Sequence, residues 1–346
     1  MQKILITGVA GFIGFHLASK LLKKRKYKVV GIDNLNNYYS IKLKKDRINI
    51  LKKISNKNFI FKKIDIRSQK KINYLFLKNK FDKIIHLAAQ AGVRYVRKNP
   101  NSYFENNIKG FYNILEASRL NKVKHLVSAS TSSVYGINKK MPYDVTLPAD
   151  HPTQFYAASK RSNELMAHSY SHMFNMPISL IRFFTAYGPW GRPDMSLYIF
   201  VKSILENKQI KAFNYGNHSR DFTYIDDIVE GIILTINKIP KKDKKWHLKT
   251  NNSSTSEAPF KILNLGNGKK IFLKNYIKLI EKYLNKKAKI KFVGFQPGDL
   301  KDSLADIKDT QKYLKFSPKT EVTTGIKKFI SWYLNYAISK KKNKIL

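Results

Sequence analysis

An apolar stretch, Lys3 to Thr7, runs directly into Gly8-Val9-Ala10-Gly11-Phe12-Ile13-Gly14, and helical periodicity takes over from Phe12 to Lys24. Few folds accept a strand, a glycine turn and a helix in immediate succession. The glycines permit a tight turn, let backbone approach an anion, and leave the helix N-terminus facing that anion. The GxxGxxG spacing differs from the GxGxxG form, but in this setting it still reads as a cradle for the pyrophosphate of a dinucleotide. The rhythm then repeats: apolar runs at Lys28 to Ile32, Phe59 to Ile64, Lys83 to Leu87 and Val123 to Ala129 alternate with helical periods at Leu43 to Ile54 and near Phe104 to Leu120. Right-handed crossovers between such strands give an α/β, Rossmann-type doubly wound parallel sheet, covered on both faces.

Beyond about residue 185 the rhythm loosens, with Gly/Pro-rich turns at Gly188 to Pro193 and Gln296 to Gly298 and a short strand at Lys289 to Val293. The expected division is a nucleotide-binding domain over 1–180, to which segments near 181–186 and 222–240 return, and a smaller C-terminal α/β substrate domain over 187–337. Lys241 to Pro259 is polar and aperiodic and reads as a surface loop. A last amphipathic helix over Thr323 to Ile338 precedes a frayed basic tail, 338–346.

With 66 Lys and Arg against 23 Asp and Glu, the 346 residues carry a formal +43. That charge admits nucleic acid, anionic membranes and anionic substrates as partners. However, 56 of the 66 basic residues are lysines scattered over every segment, whereas a nucleic-acid stripe clusters on one element; no nucleic acid is expected. The absence of cysteine removes disulfides, thiolate metal sites and cysteine nucleophiles, and no metal site is expected. No basic segment followed by an apolar run opens the chain, and no stretch approaches the ~20 apolar residues of a membrane span. The expectation is a cytoplasmic chain.

Asp33 closes the second strand 19 residues after Gly14. A carboxylate there can accept hydrogen bonds from adenosine ribose hydroxyls and repels a 2′-phosphate, which favours NAD over NADP. Asp65-Ile66 and Leu87-Ala88-Ala89 fall at strand ends, on the rim where open parallel sheets bind ligands, although packing explains them equally well. In Tyr156-Ala157-Ala158-Ser159-Lys160 a phenol and an ammonium stand one helical turn apart on one face. A nearby cation favours phenolate, making Tyr156 a usable base, and Lys160 can reach nicotinamide ribose hydroxyls. Ser130-Thr131-Ser132-Ser133 supplies a hydroxyl able to share a substrate proton with it.

These residues resemble the extended short-chain dehydrogenase/reductases, the NAD-dependent sugar-nucleotide epimerase/dehydratase family. The likeness runs over about residues 1 to 337 through Gly11 to Leu17, Gly31 to Asn36, Ala88 to Arg94, Arg182 to Met195 and Arg220 to Asp227. It implies that Gly8, Gly11, Phe12, Ile13, Gly14, Asp33, Asn34, Asp65, Ile66, Leu87, Ala88 and Ala89 hold NAD. It also implies that Tyr156 is the general base, Lys160 its pKa partner and Thr131 the accompanying hydroxyl. Ser132, Ser133 and Arg94 would then lie near the sugar, and Thr185 and Arg192 would hold an acidic one. Arg220 and Asp299, with backbone near Phe213 to Gly216, would bind UDP. The implied reaction inverts C4 of a UDP-sugar through a 4-keto intermediate, UDP-glucuronate to UDP-galacturonate, in a homodimer paired through helices near 100–120 and 153–175. Dehydratases of the family carry Asp-Glu directly after the catalytic Thr; Ser132-Ser133 here argues against 4,6-dehydration. UDP-glucuronate decarboxylation, epimerisation of a neutral UDP-hexose, and a non-catalytic nucleotide- or nucleic-acid-binding role remain as alternatives.

Overall fold

The computed structural model describes residues 1–24, 26–55, 57–93, 95–246, 252–296 and 299–342. Its centre is a seven-stranded sheet in the order β3-β2-β1-β4-β5-β6-β10, with every neighbouring pair parallel. The strands are β1 (Gln2–Thr7), β2 (Tyr27–Asp33), β3 (Phe59–Lys63), β4 (Lys83–His86), β5 (His125–Thr131), β6 (Ile178–Phe183) and, far along the chain, β10 (Phe260–Leu265). Because helices cover both faces, the strands read as continuous apolar runs: Ile4, Leu5 and Ile6 of β1 are all completely buried.

The helices between the early strands are α1 (Phe12–Leu22), α2 (Ile41–Ile54), α3 (Gln69–Leu77), α4 (Asn101–Tyr103), α5 (Gly110–Leu120) and α6 (Phe155–Phe174). Ser40 starts α2 by accepting from the Leu43 N–H at 3.3 Å, and Asn175 ends α6 in the left-handed region at φ 51°. The helix expected near Phe104 begins earlier, at Asn101, and passes through a π-helical turn over Phe104–Lys109. That turn aims Asn107 inward. Its amide holds the Gln90 backbone from both sides, at 2.8 and 3.1 Å, and reaches Ser159 on α6 at 3.0 Å.

The remaining elements are β7 (Thr185–Tyr187), α7 (Ser196–Leu205), β8 (Gln209–Ala212), β9 (Ser219–Tyr224), α8 (Ile225–Asn237), β11 (Lys270–Phe272), α9 (Leu273–Leu284), β12 (Lys289–Phe292), α10 (Lys308–Leu314) and α11 (Val322–Lys342). They form two small sheets, β11-β9-β7 and β12-β8. One core joins α1 and α8 to α7, α9 and α11; a second, on the other face of the central sheet, joins α3 and α5 to β4, β5 and β10.

Two expectations change here. The 241–259 segment is not simply a surface loop: within its described part Ser254, Ser256 and Ala258 are buried, because Ser254 accepts from the buried Lys261 ammonium and Ser253 donates to the Val145 carbonyl. The last helix does not fray after Ile338 but continues to Lys342. Among the described residues no helix is long and apolar enough to cross a membrane.

Candidate active site

A cleft of about 870 Å³ runs along the carboxyl ends of β1, β2, β3, β4, β5 and β6, with β7, β8, β9 and β11 contributing its opposite side. This is the location expected for a ligand on an open parallel sheet. At one end is the glycine turn. Gly8 has φ +69°, and an added Cβ would lie 2.9 Å from the Ala88 nitrogen; a Cβ on Gly14 would run into the Gly8 carbonyl oxygen and lie 2.9 Å from Val9 Cα. No side chain caps α1, so its first-turn N–H groups are left for an anion. The Asp33 carboxylate accepts from the N–H groups of Ala10 at 3.2 Å and Leu35 at 2.8 Å, tying the turn to β2. Burial raises its pKa, against those N–H groups and the cations Lys44 and Arg47.

Lys44 and Arg47 are buried residues that the lysine-rich composition concealed. The Lys44 ammonium holds the Asn36 carbonyl and side chain at 2.8 and 2.7 Å, while Arg47 donates to the Ala10 carbonyl at 2.7 Å and the Tyr39 hydroxyl at 2.9 Å. Asn34, Ile66, Leu87, Ala88 and Ala89 all line the cleft. Asp65 does not; its carboxylate is turned to the Asn34 amide at 3.1 Å and the Arg67 guanidinium at 2.8 and 3.0 Å. The glycine turn, the uncapped helix and Asp33, all on one cleft, together fit a dinucleotide.

Mid-cleft, α6 brings Tyr156 and Lys160 to the wall with Thr131, Ser132 and Ser133 from the end of β5. Thr131 accepts from the Ser133 N–H at 3.2 Å. Burial raises the Tyr156 pKa; the Arg192 charge and the Thr131 hydroxyl pull it down. Arg192 is thus a further cation that favours the phenolate, beside the Lys160 expected on the same helix face. Lys160 is only 1% exposed, and burial brings it down to about 8, with the Glu164 charge opposing the fall. Glu164, one turn further along α6, is itself buried in a fork from Arg182 at 2.9 and 2.8 Å and accepts from Ser130 at 2.6 Å. This network went unseen in the sequence, where neither charge carries a burial signal.

Thr185 and Arg192 also line the cleft near Tyr156, and Phe213, Arg220 and Asp299 line its other end. Arg220 is fixed by the carbonyls of Ser219, Leu300 and Lys301 at 2.6 to 2.9 Å. Asn214 and Tyr215 are both left-handed, at φ 49° and 52°, which folds the Phe213–Gly216 turn against this end. Arg192 is paired with Asp194, a residue the sequence reading passed over. Arg94 lies outside the described residues.

The sequence pattern of the GDP-mannose 4,6 dehydratase family matches residues 5–329. The chain belongs to this family of NAD-dependent epimerases and dehydratases. Similar family members include Protein CapI of Staphylococcus aureus, 46% identical over 97% of this chain and 99% of its own. The probable UDP-glucuronate 4-epimerase of Rhizobium meliloti is 39% identical over 96% of this chain and 97% of its own. Among solved structures, the UDP-glucuronic acid 4-epimerase of Bacillus cereus, in complex with UDP-glucuronic acid and NAD, superposes with a TM-score of 0.86 at 33% identity, covering 97% of this chain and 100% of that one.

Proposed function

We propose that this chain is an NAD-dependent 4-epimerase that interconverts UDP-glucuronate and UDP-galacturonate. The observation that carries the reading is the meeting of Tyr156, Thr131, Lys160 and Arg192 on one cleft that the Gly8 to Gly14 turn and Asp33 also line, together with Arg220 and Asp299. Bound NAD would supply the hydride acceptor and donor for C4. Gly8 to Gly14 would cradle its pyrophosphate, Asp33 its adenosine ribose, and Lys160 its nicotinamide ribose.

Tyr156 takes the O4 proton in its phenolate form, which the Arg192 charge and the Thr131 hydroxyl favour against the opposing effect of burial, with Thr131 sharing the hydrogen bond. The resulting ketone turns over about its phosphate linkage, and Tyr156 returns the proton to the inverted alcohol. Arg192 offers a planar fork suited to the sugar carboxylate. Arg220 and Asp299 would hold the UDP moiety. Ser132 and Ser133 replace the acid and base that elimination across C5 and C6 requires, so the family's dehydratase chemistry is not expected here.

Incubation of purified protein with UDP-glucuronate, UDP-glucose and UDP-N-acetylglucosamine separately, with chromatographic product identification, tests the reading. UDP-galacturonate supports it; UDP-xylose would assign a decarboxylase, and turnover of neutral sugars alone would remove the role of Arg192. The reading includes a homodimer, supported by exposed apolar side chains on the adjacent helical faces: Phe104 and Tyr112 on one, Leu165 and Met173 on α6. It places the enzyme in the cytoplasm beside its dissolved nucleotide ligands.

A further inference from the structure

The guanidinium assigned to the sugar carboxylate already holds a carboxylate. Arg192 Nε donates to Asp194 Oδ1 at 3.0 Å and Nη2 to Oδ2 at 2.5 Å, the two-point fork an acidic ligand would use. The pair belongs to one short loop, closed by the Met195 N–H on the Arg192 carbonyl at 3.1 Å. A second anchor exists: the Tyr38 hydroxyl donates to Asp194 Oδ2 at 3.0 Å, and the Arg192 guanidinium lies 6.0 Å from the centre of the Tyr38 ring. All three side chains line the cleft. Arg192 and Asp194 are 20% and 31% exposed, so a ligand can reach the pair, while neither group is fully hydrated when alone.

Resting on the acidic-sugar reading above, we propose that Asp194 is a specificity-determining positioning residue: it stands in for the sugar carboxylate on Arg192 and yields the guanidinium when that carboxylate arrives. Inversion at C4 requires the ketone to present its other face, and that turnover swings the carboxylate carried on C5 off its seat. An arginine left unpaired in a cleft closed over by substrate would be costly. Asp194, tethered two residues away, covers the charge during this interval. Tyr38 keeps the Asp194 carboxylate close when it is displaced, because its hydroxyl stays a donor: burial and the Asp194 charge push the Tyr38 pKa to about 12. A neutral sugar has no group to compete with Asp194, so the closed pair also selects for acidic ones. Asp194 touches Arg192 and not the reacting atoms.

The test compares Asp194→Asn with the unmodified residue. Calorimetric titration with UDP-glucuronate and with UDP-glucose is done in a Tyr156→Phe background, which prevents turnover. Steady-state epimerisation is measured with Tyr156 intact. If the stand-in occupies Arg192 about 90% of the time, its removal tightens UDP-glucuronate binding about tenfold and leaves UDP-glucose binding unchanged. KM and kcat for epimerisation then fall together, because the carboxylate leaves Arg192 more slowly; a merely structural role would raise KM or lower kcat alone. Weaker or unchanged UDP-glucuronate binding, equal tightening of UDP-glucose, or an unaltered kcat overturns the proposal. Asp194→Ser, scored in the same way, serves should the Asn variant fail to fold. Failure of the unmodified protein to turn over UDP-glucuronate would instead overturn the functional reading itself.

Discussion

Replacing Lys160 by Met should stabilise this protein at neutral pH while disabling it. The ammonium is almost completely buried, and burial lowers its pKa from the ordinary 10.5 to about 8 despite the opposing charge of Glu164. Between pH 8 and 10.5 the unfolded chain binds more protons at this position than the folded one, so the free energy of unfolding rises with pH across that window. Below pH 8 the full cost of the buried charge is present; above 10.5 it is gone. At 1.36 kcal/mol per pH unit the cost is about 3 kcal/mol. Glu164 keeps Arg182 and Arg161 as partners when Lys160 is removed, so the substitution orphans no buried carboxylate. Urea unfolding of nucleotide-free wild type and Lys160→Met, followed by tryptophan fluorescence from pH 7 to 10.5, reads the difference. The variant should be more stable by about 3 kcal/mol at pH 7, and the gap should close as pH approaches 10.5. A gap that does not change with pH, or a variant less stable at pH 7, would refute the view that Lys160 is held charged against its desolvation for function.

Tyr156→Phe should lower kcat by about 10²- to 10⁴-fold while UDP-glucuronate still binds in calorimetry, since only the proton carrier is lost. Glu164→Ala should destabilise the fold by about 3–5 kcal/mol in urea unfolding, because it strands the buried Arg182. Gly14→Ala should cost about 1–3 kcal/mol by overpacking α1 against the turn and should weaken dinucleotide binding measured by fluorescence quenching. His16 and His125 are held neutral by burial, with pKa values near 4, and His86 near 3. The unfolded chain therefore takes up protons first, and stability should fall as pH drops from 6.5 towards 3; His86→Gln should flatten that decline.

Gly8, Gly11 and Gly14 were legible as a tight turn because they are contiguous with the strand and helix that flank them. Tyr156 and Lys160 were legible for the same local reason, one turn of one helix. What stayed hidden depends on long separations or on burial. Arg47 meets Trp190 and Arg182 meets Glu164 only after the sheet has assembled, and Lys44 is one lysine among 56 until its surroundings bury it. The effect of Arg192 on Tyr156 likewise requires a loop 36 residues downstream to fold over α6.

The sequence by itself determined the parallel α/β architecture and the glycine turn between β1 and α1, because hydrophobic period and glycine conformation act over a few residues. Only the tertiary structure decided that β10 completes the central sheet, that Asp65 faces Arg67 instead of the cleft, and that Arg192 carries Asp194 as its counter-ion. Those outcomes are set by desolvation and by which charges come within a few ångströms, quantities that exist only once distant segments share the same space.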